Sequence, residues 1–339
     1  MNHYRNYLIL NQINKVIKST SFKVSLGSAI SLALIFVVAR GLNWGEVWTN
    51  IRNVPVQNLC FALVLFLMSN IARAYRWQIL FFNARISVSR LFLIENIGLG
   101  VNNLVPLRIA SEITQLALLT LRDNIDRGMS LATLGMTRIL DIWASTVILA
   151  LGLMLVPGAG NLARYAIGGL VLSFLLLALV RFLAWNGHKP LFVQRIPVLG
   201  ALTQSVAGIE QRKSRLLASL VVSLVHWILL GLSAWIVAIG MNLPVSLAQI
   251  ILVILATIFF ATSVPALPGA IGTFEAAMVY VLGLFNVDRD LVFPYALTMH
   301  ILLFTPSTLI AVIFLPREGF GSIRKIPSMI QSLREHAQI

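Results

Sequence analysis

The sequence is poor in charged residues and in cysteine. Asp, Glu, Lys and Arg make up only 11% of its 339 residues, whereas a typical soluble domain has about 25%. The single cysteine, Cys60, excludes an intramolecular disulfide and a thiol pair for redox chemistry or metal binding. The motif G-x-x-x-x-G-K-S/T is absent, so the chain carries no phosphate-binding loop of that ATP-hydrolysing type. The sequence offers no candidate catalytic residue, metal site or cofactor site, and we expect a protein that is not an enzyme.

Hydrophobic residues dominate what is present. They form 58% of the chain, and the mean hydropathy is +0.87. Apolar runs near the roughly 20 residues that a helix needs to cross a bilayer recur between residues 22 and 315. We therefore predict an all-α polytopic protein of the cell membrane. It would have one integral membrane domain at 22–315, a cytoplasmic N-terminal segment at 1–21 and a cytoplasmic C-terminal tail at 316–339.

Six segments have the length and composition of full transmembrane helices. They are 22–40, 56–81, 129–156, 163–185, 216–241 and 291–315. Two further apolar regions are interrupted by proline: 86–121, broken at Pro106, and 246–285, broken between Val264 and Gly269. Each consists of two short apolar arms, so we predict two re-entrant hairpins, with eight full spans as the alternative.

The charges are distributed unevenly over this topology. The formal net charge is +14, and 18 of the 26 Lys and Arg residues fall on one side of the membrane if the N-terminus is cytoplasmic. Cytoplasmic loops of membrane proteins carry an excess of such residues. Because Arg90 and Arg122 flank the first broken region, we expect it to enter and leave from the cytoplasm. The same distribution favours contact with anionic lipid heads over a nucleic-acid partner.

The re-entrant interpretation divides the chain into two halves with the same plan. Residues 22–156 and 163–315 each read as span, span, broken hairpin and span, but in opposite orientations. Inverted repeats of this kind are common in secondary transporters, whose paired broken helices mark a substrate site near the middle of the bilayer. Between the halves, the segment 191–217 mixes apolar and charged residues, which predicts an amphipathic helix on the cytoplasmic bilayer surface.

Several acidic residues lie within apolar segments, namely Glu95, Glu112, Asp141 and Glu275. A charge at the centre of a spanning helix costs about 2.5–3.5 kcal/mol, so it needs a partner or a polar cavity. Arg138 and Asp141 are spaced to meet on one helix face. They form either a structural pair within one helix or part of a polar cavity.

The two breaks supply most of the candidate substrate-binding residues. The first reads N-N-L-V-P-L-R-I-A-S-E and the second P-A-L-P-G-A-I-G-T-F-E. A helix that restarts after proline directs free N–H groups into the protein, where they favour an anion such as phosphate. The candidates are Asn102, Asn103, Arg108, Glu112, Pro268, Gly269, Gly272 and Glu275. The alternative is that both prolines only shape the bundle.

A third candidate group is the stretch R-A-Y-R-W at the end of the second span. Arg73 and Arg76 are about one turn apart and suit binding of phosphate oxygens. We expect Tyr75 and Trp77 to anchor the helix at the membrane interface. The two intramembrane histidines, His226 and His300, are interpreted as packed, hydrogen-bonded residues.

The order of the motifs resembles the lysylphosphatidylglycerol synthase transmembrane-region family and related flippase-like proteins. The motifs are R-x-x-R-W, N-x-x-P-x-R-x-x-x-E, R-x-x-D with Arg138 and Asp141, and P-x-x-P-G-x-x-G-x-x-E. The resemblance implies binding or transbilayer movement of a polar-headed lipid, either anionic or zwitterionic. The soluble aminoacyl transferase domain of bifunctional relatives is absent from this sequence, so we do not expect lysylphosphatidylglycerol synthesis.

Two other functions stay open at this point. One is an integral-membrane transferase that acts on a lipid-linked substrate, and the other is a partner subunit of a lipid-modifying enzyme or glycosyltransferase. The sequence does not decide the oligomeric state. Family members often have Arg-x-Gly-Glu where this chain has Arg108 to Glu112, so the first turn after the break is expected to pack differently.

Overall fold

The computed structural model describes residues 25–105, 109–156, 163–187, 197–263 and 266–319, and within these ranges the chain contains helices and no strand. The first six helices are α1 (Ser25–Ala39), α2 (Trp44–Arg52), α3 (Val56–Leu80), α4 (Val88–Leu104), α5 (Ala110–Ala117) and α6 (Arg127–Leu155). The next six are α7 (Ala163–Gly187), α8 (Pro197–Glu210), α9 (Lys213–Gly240), α10 (Leu247–Ser263), α11 (Thr273–Gly283) and α12 (Arg289–Phe314).

Five of the described helices, α3, α6, α7, α9 and α12, are long and apolar enough to cross a membrane. A sixth candidate span forms if α1 and α2 are counted together, although a bend of 91° separates them. The predicted all-α polytopic fold is therefore confirmed. Residues 1–24 and 320–339, which include the predicted N-terminal segment and most of the predicted tail, lie outside the described residues.

Polar side chains fix where several helices begin. Ser87 accepts a hydrogen bond from the Arg90 backbone N–H at the start of α4 (3.2 Å). Asp126 accepts one from Met129 N–H at the start of α6 (3.0 Å). Such N-caps satisfy backbone donors that the first helical turn leaves free.

Helices α3 and α9 lie antiparallel and in contact with each other. At one end the Asn58 side chain donates to Ile236 O (3.0 Å), and at the other the Ser219 hydroxyl donates to Arg76 O (3.3 Å). The pair therefore stays in contact over most of the length of both helices.

The first broken region is a re-entrant hairpin. It consists of α4, the break, α5 and a π-helical turn at Leu118–Arg122. Arg90, near the start of α4, bonds to Asp123, which follows the π turn (2.9 Å), and to Glu318, which follows α12 (2.9 Å). The hairpin therefore begins and ends on the same side of the bundle, which also holds the end of α12.

The second broken region has the same form. Its arms, α10 and α11, run antiparallel, since Leu252 near the start of α10 clusters with Leu284 and Phe285, which follow the end of α11. A short 3-10 turn at Pro268–Ala270 lies between them. Because α9 ends and α12 begins on the side opposite Arg90, this hairpin enters from that opposite side. Helix α11 has 11 residues and extends only about 16 Å, which is short of the roughly 30 Å of a hydrocarbon core. The length of this arm therefore favours a re-entrant hairpin over two full spans.

The predicted surface helix is shorter and more deeply placed than expected. Helix α8 packs on α6 and α7, with Val206, Ala207 and Ile209 buried. A side chain at Gly128 would collide with the backbone of Ala201, so α6 and α8 approach closely. The apolar face of α8 is thus covered by protein, which corrects the prediction that it lies on the bilayer surface.

Candidate functional site

The tips of the two hairpins meet inside the bundle. A Cβ atom placed on Gly269 would lie 3.4 Å from the Asn103 carbonyl oxygen, so the end of α4 touches the break between α10 and α11. Asn103 is held in place by α12, because its side-chain amide donates to Phe304 O (3.2 Å) and to Thr308 Oγ1 (3.0 Å). Asn102 lies beside it in the last turn of α4 and is partly buried.

A cleft of about 290 Å³ opens where the tips meet. Most of its lining is apolar, with a few polar groups between. The lining residues are Asn103, Pro268, Gly269, Ile271, His300, Ile301, Phe304, Thr305, Thr308 and Leu309. Ile301 and Leu309 are also exposed on the outer surface of the bundle. The cleft therefore connects the hairpin tips with the surface that would face lipid.

Both tips lie near the middle of the bundle's depth. At 1.5 Å per residue, His300 is about 17 Å from the start of α12, and Arg138 is about 17 Å from the start of α6. Those two helices begin on opposite sides of the bundle. Since the hydrocarbon core of a bilayer is about 30 Å thick, both residues lie close to its midplane.

The first tip carries an ion pair that is partly open to its surroundings. Glu112, in the first turn of α5, accepts a hydrogen bond from Arg138 Nη2 of α6 (2.7 Å). The two side chains are 40% and 38% exposed. Glu112 Oε2 is itself buried and has no hydrogen-bond partner within the described part of the chain. Arg138 uses only Nη2 for the pair, so its other guanidinium donors are not engaged by Glu112.

The second tip carries a buried counterpart. Glu275, in the first turn of α11, accepts a hydrogen bond from Gly272 N–H (2.7 Å), and its other oxygen lies 2.5 Å from His300 Nδ1 of α12. The Glu275 and His300 side chains are 7% and 13% exposed. Gly272 has φ of 84°, a conformation that favours glycine. The predicted break, with glycine leading into a helix that carries Glu275, is present.

The remaining intramembrane charges pair across helices in the bundle core. Arg76 of α3 bonds to both oxygens of Asp141 on α6 and to Ser223 Oγ on α9 (3.2 Å). Arg73 lies 2.9 Å from Glu95 of α4. The suggested pairing of Arg138 with Asp141 is therefore wrong, because each finds an opposite charge on another helix.

The position of the R-A-Y-R-W stretch also differs from expectation. Arg76 is 1% exposed, and Trp77 is buried against Phe81 rather than at the membrane interface. Tyr75 is exposed, as expected. In this arrangement the Arg73 and Arg76 guanidinium groups contact the carboxylates of Glu95 and Asp141, while the Nε atom of each arginine is buried without a hydrogen-bond partner among the described residues.

Comparison with known proteins agrees with this architecture. Residues 24–311 match the family model described as the lysylphosphatidylglycerol synthase TM region. The chain belongs to this family. It is also 24% identical over 311 residues to a UPF0104 membrane protein of Methanothermobacter thermautotrophicus, an alignment that covers 84% of this chain and 91% of that relative.

In this member of the lysylphosphatidylglycerol synthase TM-region family, the structure brings together one part of the predicted site. Asn103, Pro268 and Gly269 line a single cleft, and Glu275 contacts His300 at its wall. Glu112 and Arg138 form the separate pair at the first tip. Arg73, Arg76 and Asp141 lie in the core, whereas Pro106, Arg108 and Pro265 fall outside the described residues.

Sequence reasoning assigned His300 to packing and missed its place at the site. The ring does pack between Phe274 and Phe304, but it also contacts Glu275 and lines the cleft. His226, by contrast, is confirmed as a packed residue, bonded to Ser69 (2.7 Å). The signal for His300 was present: its distance along α12 from the Asp-Arg helix start equals that of Arg138 along α6.

Proposed function

We propose that this protein binds a polar-headed, phosphate-bearing lipid at the hairpin tips and moves it across the bilayer. The observation that carries the proposal is the Glu112–Arg138 pair, which is more than one-third exposed near the middle of the bundle. Charged groups at that depth are too costly to face hydrocarbon directly. They are tolerated where they line a polar crevice, and a crevice at that depth suits a lipid head group.

The chemistry of the tips fits such a head group. An arginine guanidinium has five donors in a planar fork, and Arg138 uses Nη2 for Glu112. Its other donors suit phosphate oxygens. The cleft beside Asn103 and Gly269, which is mainly apolar and reaches the lipid-facing surface, suits the hydrocarbon tail. Arg108 belongs to the same proposed site by sequence.

Matched contacts between helices support an inverted repeat of 22–156 and 163–315. Helix α4 packs on α12 where Gly100 meets Ser307, and α10 packs on α6 where Leu252 meets Gly152. Helix α2 packs on α12 as α8 packs on α6. In transporters with inverted repeats, exchange of conformation between the halves exposes one central site to each side in turn.

The orientation of the protein in the membrane is inferred from the positions of its basic residues. Arg90, Arg122, Arg127 and Arg215 lie at helix ends on one side of the bundle, together with the end of α12. We assign that side to the cytoplasm of a cell membrane. With this orientation, an inside-negative potential would favour outward movement of an anionic head group by about 2.3 kcal/mol per charge per 100 mV.

The proposal is tested by lipid transport in liposomes that contain the purified full chain and a fluorescently labelled anionic phospholipid. We expect wild-type protein to transport the lipid and Arg138→Ala to reduce the rate about tenfold or more, since a bidentate charge contact is lost. Arg181→Ala is the matched control, because Arg181 forms an exposed peripheral pair with Glu210. Equal rates for Arg138→Ala and the control would contradict the proposed site.

Two alternative functions, a transferase and a partner subunit, predict different results with the same purified protein. A transferase would convert a lipid-linked substrate without a partner, and a partner subunit would co-purify with a lipid-modifying enzyme. Native mass spectrometry of the purified protein distinguishes these cases. We expect a phosphate-bearing lipid bound to wild-type protein and less of it bound to Arg138→Ala.

A further inference from the structure

The last span of each half, α6 in the first and α12 in the second, carries a basic residue at an equivalent position. The same number of residues separates Arg127 from Arg138 in α6 and Arg289 from His300 in α12. Each basic side chain meets the first-turn glutamate of the hairpin arm that precedes its helix. The two tips thus share a geometry, although one basic partner is arginine and the other is histidine.

This substitution changes the chemistry of the tip. Arginine stays protonated in proteins, whereas histidine is the side chain that changes charge between about pH 5 and pH 8. The first tip is therefore a permanent pair of opposite charges. The second tip has a net charge of zero or minus one, depending on whether His300 holds a second proton.

Among the described residues, one carboxylate contacts the His300 imidazole and can influence its charge. Among the described residues, Glu275 of α11 is the ionisable group in contact with the imidazole ring. Phe274 of α11 and Phe304 of α12 cover its faces, with ring centroids 5.1 and 4.2 Å away. From α4, the neighbouring polar group in the cleft is the uncharged amide of Asn103.

Glu275 is held by the backbone at the start of α11. It accepts a hydrogen bond from the Gly272 backbone N–H, and it lies in the first turn of α11, where the helix dipole favours negative charge. An ionised carboxylate beside Nδ1 places a proton on that nitrogen and leaves the lone pair on Nε2. His300 also lines the cleft, and Nε2 is the nitrogen that would take up a second proton.

We infer that the Glu275–His300 pair is a proton-binding site, and that proton uptake at His300 admits an anionic head group to the second hairpin tip. The inference rests on the proposed lipid movement. The step is simple: one proton from water binds Nε2, Nδ1–H keeps its hydrogen bond to Glu275, and no other bond changes. The net charge of the tip rises from minus one to zero and then equals that of the Glu112–Arg138 pair.

The test measures transport of labelled phosphatidylglycerol in liposomes at about pH 8 and about pH 5.5, a range over which histidine titrates. We expect the wild-type rate to rise at least about fivefold at the lower pH, since the tip loses its negative charge. His300→Arg should be equally fast at both pH values, and His300→Gln should be equally slow at both. His300→Gln carries the test if the arginine variant does not fold.

His226→Gln is the matched control, since His226 bonds to Ser69 in the core and does not line the cleft. It should keep the wild-type pH dependence. A wild-type rate that does not depend on pH, or a pH dependence that survives both His300 variants, would overturn the inference and leave the proposed function standing. Absence of wild-type transport at both pH values would overturn both.

Discussion

The two hairpin tips place a glutamate at the same point of the fold and surround it differently. Glu112 pairs with Arg138 and is partly open, whereas Glu275 pairs with His300 and is buried. The two halves thus share a plan but differ in environment at the site. Under the proposed function, this difference describes one state of a cycle, in which Glu112 is the more accessible of the two glutamates.

The first helix of each half accounts for part of this difference. Helix α1 braces the second tip, because Leu267 N–H donates to Ser31 Oγ (2.9 Å) and Gly272 lies against Ile35. Its counterpart α7 packs on α6 and α8, and most of its described side chains are exposed. A helix that covers one tip therefore has an equivalent that lies away from the other.

The largest effect on stability should come from the core rather than from either tip. Arg76→Ala leaves the buried Asp141 carboxylate without its partner, so we expect a loss of about 3–5 kcal/mol in the free energy of unfolding. Arg138→Ala breaks a pair that is more than one-third exposed and should cost at most about 1 kcal/mol. Denaturant unfolding in detergent measures both. If both variants lost a similar free energy of unfolding, the Glu112–Arg138 pair would be as important for stability as the core pair, and the expected difference between them would be wrong.

A smaller loss is expected where α1 braces the second tip. Gly272→Ala places a Cβ at a φ of 84° and about 2.6 Å from Ile35 Cγ1, so stability should fall by about 1–3 kcal/mol. The matched control is Gly283→Ala at the end of the same helix, where a Cβ would meet no atom within 4 Å. Equal midpoints of thermal unfolding for the two variants would contradict the bracing contact.

The smallest effect concerns the first hairpin, which is fastened at its base. A hydrogen bond from Arg90 lowers the pKa of the Glu318 carboxyl below its ordinary value. Its stabilising contribution is therefore present above the unfolded-state pKa and is lost as pH falls through the folded-state pKa. Glu318→Gln should lower stability by at most about 1 kcal/mol near pH 7, and the difference from wild type should shrink in acid. Thermal unfolding between neutral and acidic pH checks this; a constant difference would argue against the ion pair.

Much of the fold follows from the sequence because lipid imposes simple rules. Apolar length identified the spans, and the arginines around 86–121 indicated that both ends of that region share a side, as the bonds of Arg90 now show. The proline breaks identified both hairpins. What composition could not supply was the bend of 91° after Ala39, or the burial of α8 against α6 and α7.

The pairing of charges was harder to predict because it depends on packing between helices. Spacing along one helix suggested Arg138 with Asp141, yet both lie opposite charges from elsewhere in the bundle. An interfacial position was expected for Trp77, but the side chain is buried in a cluster with residues of α4 such as Leu91 and Ile94. The role of His300 at the second tip could be predicted only by comparing its distance from the start of α12 with that of Arg138 from the start of α6.

The central claim is that the glutamate of the first tip is more accessible from water than the glutamate of the second. It is tested directly by introducing Glu112→Cys or Glu275→Cys in a Cys60→Ser background, which removes the exposed native thiol. Labelling in membranes with a water-soluble thiol reagent should modify the thiol from Glu112→Cys readily and that from Glu275→Cys slowly. An unreactive thiol at the first tip, or equal reactivity at both, would contradict this account.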